Sequence, residues 1–361
     1  MNHKLILGIL ITCSLLLCSA CKHKKESAQQ QIHIELNEQT VTDFAKSIVE
    51  SVYNGNAELL NNAIDKEHIK SLISGNSIVY SGFDVEGGQK YFESCLRLGD
   101  IAVQTVNDGG VFDFVNYYKK DGKHHVIFRT YNDFIINFSD YVVDTIGGKI
   151  KIQDGFIYNT GSLLSKNVEY SMLYNLMLQT NPESDVQWLQ KAENLTKMGS
   201  YAQSLSTLKE HKEALKEYPL YHQLYIADLY KTNAKNFDSQ LDLIKDEIDE
   251  RYYLLHKLLY YTNEGNPLGA EQTINALIPH SGDDPIFLLM YAKAEMENGN
   301  YGNALTCLKS AENALPLFWD FWACKMKCLA KTNDVAGYSE CVQQGKEAFG
   351  LSDEEIKKMG F

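Results

Sequence analysis

The chain has no Gly-x-x-x-x-Gly-Lys-Ser/Thr loop and no Gly-x-Gly-x-x-Gly turn, so two common phosphate cradles are missing. It also lacks His-Glu-x-x-His and Gly-x-Ser-x-Gly, the helical zinc pair and the nucleophile elbow. Positive charge is in short supply: 34 Lys and Arg face 47 Asp and Glu, a net charge of -13. Nucleic acid calls for a basic face, and this balance argues against such a partner. Beyond the first 20 residues no apolar run approaches the roughly 18 residues of a membrane span. Histidine is absent from residues 281–361, so Cys324 and Cys328, four apart on an expected helix, have no nitrogen ligands nearby. They read as small buried hydrophobes, and no metal is assigned. What remains is an ordinary globular composition, 44% hydrophobic and 22% charged, in a chain long enough for two domains.

Residues 14–25 read SLLLCSACKHKK. Ahead of them Lys4 supplies an early positive charge, and Leu5 to Leu17 is an apolar run too short to span a bilayer. Ser19 and Ala20 are small, and Cys21 follows them. This is the layout of a secretory signal peptide over residues 1–20. Small residues followed by cysteine resemble the lipobox of bacterial lipoproteins, although Cys18 stands where that family usually has an aliphatic residue. The resemblance implies cleavage before Cys21, a diacylglycerol on its thiol, and a place in the cell envelope. There the chain would be anchored to a bacterial membrane, the outer membrane in this reading, facing the periplasm or the outside. Lys22, Lys24 and Lys25 would then lie by the headgroups, each adding about 1 kcal/mol on an anionic surface. Residues 21–38, with Gln29 to Gln31, read as a solvated tether.

Residues 39–165 read as an α+β domain. Val41, Phe44, Ala45, Ile48, Val49 and Val52 fall at helical spacing over residues 40–53, and Asn54-Gly55 can close that helix. Shorter helices are expected from Asn56 through Ile64 and over residues 89–98. Segments 101–106, 111–118, 124–132, 134–144 and 149–158 are rich in Val, Ile, Phe, Tyr and Thr. Asp108-Gly109-Gly110, Asp121-Gly122 and Gly147-Gly148 separate them as hairpin turns, which makes neighbouring strands antiparallel. The expected architecture is a curved antiparallel sheet with helices on one face. In order and length of elements it resembles the cystatin-like cone fold shared by nuclear transport factor 2 and ketosteroid isomerase. That group includes enzymes, ligand binders and dimerisation modules, so the resemblance allows either a pocket or a dimer face. Asp113, Tyr117, His124, His125, Tyr131 and Asp133 carry the chemistry on the strands. None falls on a catalytic motif of the group, and no catalytic residue is assigned.

Residues 166–361 carry a repeat. Over 285–316 the chain reads PIFLLMYAKAEMENGNYGNALTCLKSAENALP. Ala292, Gly299, Tyr301, Ala304, Leu308, Ala311 and Pro316 resemble the signature of the tetratricopeptide repeat, a helical pair of about 34 residues. One period on, Trp322 takes a signature place and Asn333 stands where the turn glycine was. One period back lie Gly265 and Ala270, and Trp188, Ala192, Gly199, Tyr201 and Leu208 form a further copy. Residues 219–250 fit a degenerate copy, and Ser352 to Phe361 resembles a short cap. The resemblance implies about five helical hairpins stacked into a solenoid whose concave face takes a protein or peptide. Leu189, Glu193, Tyr252, Leu255, Leu289, Lys293, Met296 and Lys327 would line that face. Cys307 and Cys341 would occupy equivalent places, too far apart for a disulfide. The sequence thus points to a multidomain, membrane-anchored exported lipoprotein acting as a scaffold or adaptor through its repeats, with no cofactor. The rival is an enzyme or small-ligand binder centred on the sheet, with the repeats as a docking arm.

Overall fold

Asn37 starts the first helix. Its side chain accepts the Thr40 N–H at 3.0 Å while the Thr40 hydroxyl accepts the Asn37 N–H at 3.0 Å, a reciprocal capping box. In the computed structural model, which describes residues 35–83, 87–132, 135–315, 318–350, 352 and 354, this helix is α1 (Glu38–Tyr53). The leader, Cys21 and the tether up to residue 34 lie outside the described residues, as do Asp133, Pro316 and most of the closing stretch. Val41, Ala45, Ile48 and Val52 form the buried stripe of α1. Short helices follow: α2 (Glu58–Ala63), α3 (Lys66–Ile73), α4 (Ser77–Gly82), α5 (Gly88–Cys95) and α6 (Leu98–Asn107). Asp65 and Asn76 cap α3 and α4 with their side chains.

Helix α6 corrects the sequence reading, which expected a strand over 101–106. Its β-branched residues mimic a strand, and Asp108-Gly109-Gly110 mimics a hairpin turn. Both signals have a second meaning. Gly109 takes a left-handed φ of 85°, and the Gly110 N–H reaches back to the Thr105 carbonyl at 2.8 Å, a helix C-cap. Ala102, Val103 and Val106 then pack into the core beside α1.

Five strands form one antiparallel sheet in chain order: β1 (Val111–Lys120), β2 (Lys123–Asn132), β3 (Ile135–Ile146), β4 (Lys149–Ile157) and β5 (Ser162–Leu163). Asp121-Gly122 and Gly147-Gly148 all take positive φ, which makes two-residue turns that match the strand twist. A bulge at Phe114/Asn116 changes which side chains point to which face. Before it Phe112 and Phe114 point to one side; after it Tyr117 joins that side and Tyr118 the other.

The rest is helical: α7 (Leu164–Thr180), α8 (Val186–Lys197), α9 (Tyr201–Glu210), α10 (Lys212–Leu215), α11 (Pro219–Asn233), a single 3-10 turn, α12 (Phe237–Asp242), α13 (Glu250–Asn263), α14 (Pro267–Ser281), α15 (Ile286–Glu297), α16 (Tyr301–Ala311), α17 (Trp319–Lys331) and α18 (Val335–Phe349). Helices α8 and α9, α13 and α14, α15 and α16, and α17 and α18 pack as consecutive pairs. Each pair turns through a left-handed residue: Gly199 (φ 76°), Gly265 (64°), Gly299 (83°) and Asn333 (56°). After each, an N–H reaches five residues back, as from Asn300 to Glu295 and Asp334 to Leu329. Positions 265, 299 and 333 are 34 apart, so the sequence period recurs as one backbone conformation.

Residues Ile34–Phe361 form one compact unit. Helices α1–α7 cover one face of the sheet, and α13–α17 join the core on the other. The expectation of helices on a single face is therefore corrected: the sheet is a middle layer.

Candidate ligand-binding site

The face toward α13–α17 is closed. Val111, Ile127, Tyr131, Ile136, Phe138, Phe156 and Tyr158 share one core with Leu255, Leu258, Phe287, Leu289 and Met296. The Phe138 and Phe287 rings lie 5.7 Å apart. Each such side chain, fully buried, contributes roughly 1.5–3 kcal/mol.

Charged groups tie the two layers together. Arg129 donates to Asp284, and to Asp113 at 2.6 Å, and its guanidinium lies 4.9 Å from the Phe318 ring centre. Side-chain exposure is 5% for Arg129 and 1% for Asp284, so this pair is out of water. Lys293 donates to the Tyr131 hydroxyl at 2.6 Å and to Asp320 at 3.2 Å, and Tyr131 itself donates to Asp320. Burial pulls the Lys293 ammonium below its ordinary range and pushes the Asp113 carboxyl up, the latter against the pull of Arg129. At the far end Asp140 accepts from Tyr118 at 2.6 Å and lies 2.9 Å from His125 Nδ1, with Arg251 at 3.6 Å.

These contacts place the eight residues expected on a concave partner face. Tyr252, Leu255, Leu289, Lys293 and Met296 are buried, and Leu255, Leu289 and Met296 lie in the core shared with the sheet. Leu189 is buried too. Glu193 is half-buried and accepts from Tyr174 at 3.0 Å; Lys327 is partly exposed, 3.6 Å from Glu297. Six of the eight are therefore not on a free surface, because the sheet or neighbouring helices occupy that side.

The opposite face of the sheet carries a cavity of about 490 Å³. Thr130 of β2, Asn137, Ser139 and Tyr141 of β3, and Ile157 of β4 form its floor. Leu98, Ile101 and Ala102 of α6 and Asn167, Val168, Tyr170, Ser171 and Tyr174 of α7 form its walls. Leu189 of α8 and Tyr218, Leu220 and Gln223 around the start of α11 complete them. Strand alternation explains the floor: Ile136, Phe138 and Asp140 point to the closed face, so Asn137, Ser139 and Tyr141 point to the cavity.

Among the described residues no charged side chain lines this cavity. Asn137, Ser139 and Tyr141 are 8%, 8% and 4% exposed. The Asn137 side-chain oxygen accepts the Asn159 N–H at 2.9 Å, and its amide nitrogen lies 3.4 Å from the Ser139 hydroxyl. Asn167 donates to the Thr160 hydroxyl at 2.8 Å. The Tyr170 and Tyr218 rings lie 5.0 Å apart at 60°. Burial pushes the Tyr141 phenol up to about 12, and raises Tyr170, Tyr174, Tyr218 and Cys95 as well. Every lining group that can ionise thus stays neutral at neutral pH.

A second cleft of about 460 Å³ adjoins it at Thr160 and Pro219. Lys212, Glu213, Lys216 and Glu247 line that cleft, and they pair with one another, Lys212 with Glu247 and Lys216 with Glu213, each at 2.6 Å. Most of its charges are already paired, so the neutral cavity is the better candidate.

The strand residues that carried chemistry in the sequence do not converge. Asp113 and Tyr131 belong to the closed face, and His125 is held on Asp140. Tyr117 and His124 bond each other at 2.8 Å, and neither lines the cavity. Asp133 lies outside the described residues. Sequence reasoning missed Asn137 and Ser139. Their signal is a pair of neutral polar residues at alternate positions in a strand whose two faces are both covered.

All five cysteines among the described residues are free, and Cys324, Cys328 and Cys341 are buried. The described residues contain no cluster placed to hold a metal ion and no helix long and apolar enough to cross a membrane. No protein-family model matches the chain, and no match to it is found among curated proteins.

Proposed function

We propose that this chain is an exported lipoprotein, anchored through Cys21, that binds a small uncharged molecule between its sheet and its helices. The neutral cavity over Asn137, Ser139 and Tyr141 carries this reading. A concave site with a few convergent polar groups in apolar walls is what small-molecule binding requires, and its size falls in the roughly 300–1,000 Å³ range of such sites. With no lining group poised to exchange a proton near neutral pH, the cavity is suited to binding rather than to acid–base chemistry. In this reading the N-terminal half is a cystatin-like cone. The helical half is a tetratricopeptide-like solenoid folded onto the sheet, and α8 and α11 complete the cavity wall.

The chain from residue 22 onward keeps the whole compact unit and needs no detergent. Titrated with the neutral dye N-phenyl-1-naphthylamine, it should give saturable fluorescence enhancement. Ser171→Trp should abolish it by filling the cavity. Equal enhancement in that variant, or none in either protein, would remove the ligand reading. In cells, an alkynyl fatty acid should label the wild-type chain and not Cys21→Ser; labelling of both would remove the anchor.

The adaptor reading keeps one supporting observation. Met198, Leu268 and Val335 are 78%, 64% and 76% exposed, each beside one of the left-handed turns. A protein partner docking there should be lost from crosslinked cell extracts when all three become Ser; an unchanged set of partners would retire that surface.

A further inference from the structure

We infer that the ligand of this cavity is an uncharged saccharide unit, whose hydroxyls are read by Asn137, Ser139 and Tyr141. The inference rests on the ligand-binding reading above and narrows it.

Charge is the first discriminator. The chain carries 81 charged Asp, Glu, Lys and Arg side chains (34 + 47), and the other face of the same strands buries Arg129, Asp140 and, from α15, Lys293. The cavity lining has none among the described residues. A phosphate, carboxylate or ammonium entering it would lose its water and gain no counter-charge, which is prohibitive for a buried ion.

Hydrogen bonding is the second. Thr130, Asn137, Ser139, Ser171 and Gln223 bring hydroxyls and amides, groups that both donate and accept. A pure hydrocarbon would strip water from Thr130, Ser171 and Gln223 and leave them unpaired, at about 1–3 kcal/mol for each buried group. A ligand rich in hydroxyls answers them, since each hydroxyl also donates and accepts. Asn137 is pre-set for this. The Asn159 N–H fixes its oxygen at 2.9 Å, while its amide nitrogen has only a contact of 3.4 Å to Ser139, at the long limit of a hydrogen bond. One amide hydrogen is thus held only weakly and the second remains for a ligand oxygen.

Shape is the third. Apolar walls from Leu98, Ala102, Ile157 and Val168, with Tyr170 and Tyr218 side by side, suit the C–H faces of a sugar ring.

The test is displacement of N-phenyl-1-naphthylamine from the chain starting at residue 22, followed by an array of neutral glycans, their uronate or phosphate-bearing counterparts, and neutral sterols. At least one neutral glycan should bind and displace the dye. Its charged counterpart should bind about tenfold more weakly or worse, as a cost of 1.4 kcal/mol or more dictates. Asn137→Leu should unfold in urea as cooperatively as the parent, showing that the chain is folded, and lose about tenfold in glycan affinity. Dye binding that only sterols or charged glycans displace would overturn the saccharide assignment and leave the ligand reading standing, as would an array on which no neutral glycan is retained. Failure of the dye itself would remove both.

Discussion

On one face of the sheet Arg129, Asp140 and Lys293 are buried against partners from the helices and from the strands themselves; on the other, Thr130, Asn137 and Ser139 border a cavity. Arg129 and Asp140 are strand neighbours of Thr130 and Ser139, so on the strands the difference lies in the side chains and not in the backbone. A buried charge must be met by a fixed opposite charge, and meeting it welds two surfaces together. A neutral amide or hydroxyl costs less when its partner is water or a ligand, so it can line a site that fills and empties. Charge closes one face of the sheet, and neutral polar groups border the cavity on the other.

The strongest way to break this comparison is to remove the arginine at the centre of the closed face. Arg129→Leu leaves Asp284, 1% exposed, without its cation, and Asp113 with less support. Breaking a buried pair by taking one partner costs about 3–5 kcal/mol, readable from urea unfolding. Adding Asp284→Asn should recover part of the loss, because the amide oxygen still caps the Ile286 N–H while the orphaned charge is gone. A cost below about 1 kcal/mol for the single change would mean that the ion pair holds nothing together.

Acid attacks the helical layer at another point. The Nε2 of His256 on α13 is buried with no hydrogen-bond partner among the described residues, and the ring meets Tyr252 edge-on with centroids 4.6 Å apart. Desolvation lowers its pKa from 6.5 to about 4. Between those values the unfolded chain takes up a proton that the folded chain refuses. Stability contributed by the neutral ring is complete above pH 6.5 and falls as the pH drops toward 4, by up to about 3 kcal/mol. His256→Phe should flatten that part of the pH profile, and an unchanged acid slope would show that other groups set it.

A smaller effect follows from Tyr131→Phe. The hydroxyl it deletes accepts from Lys293 and donates to Asp320. Losing bonds to charged partners in a buried setting should cost about 1.5–3 kcal/mol by the same urea measurement. A neutral outcome would mean that Lys293 and Asp320, 3.2 Å apart, satisfy each other without it.

How far the sequence foretold these contacts depends on whether the signal was local. The helical turns were legible because a left-handed backbone demands Gly or Asn, and Gly265, Gly299 and Asn333 repeat that demand at one period. Four of the expected strands and α1 were legible from periodicity and from Asp121-Gly122 and Gly147-Gly148. Residues 101–106 were not, since Gly109 serves a helix end as readily as a hairpin. The burial of Leu289, Lys293 and Met296 was not legible either. A helix face rich in apolar residues with a lysine among them looks the same whether a peptide or the chain's own sheet covers it. Nothing local marks that the partner for Lys293 is Tyr131, 162 residues away. The cavity shared this fate, because its floor and walls come from segments that meet only when the whole unit is assembled.

The finest test compares neighbours on β2. Thr130 faces the cavity and Tyr131 the closed core, so deleting one hydroxyl from each probes the two faces at a single point of the backbone. Thr130→Val keeps the side chain's shape and its fit to the strand. Among the described residues the hydroxyl it removes has no hydrogen-bond partner, so unfolding stability should stay within about 0.5 kcal/mol of the parent or rise. On the proposed reading ligand affinity should fall, because a ligand hydroxyl would be the partner of Thr130. Such a variant, no less stable and weaker in binding, is the mark of a residue kept for function at no benefit to the fold. If Thr130→Val instead costs as much as Tyr131→Phe, the cavity floor is structural polar packing and the division between the two faces does not hold.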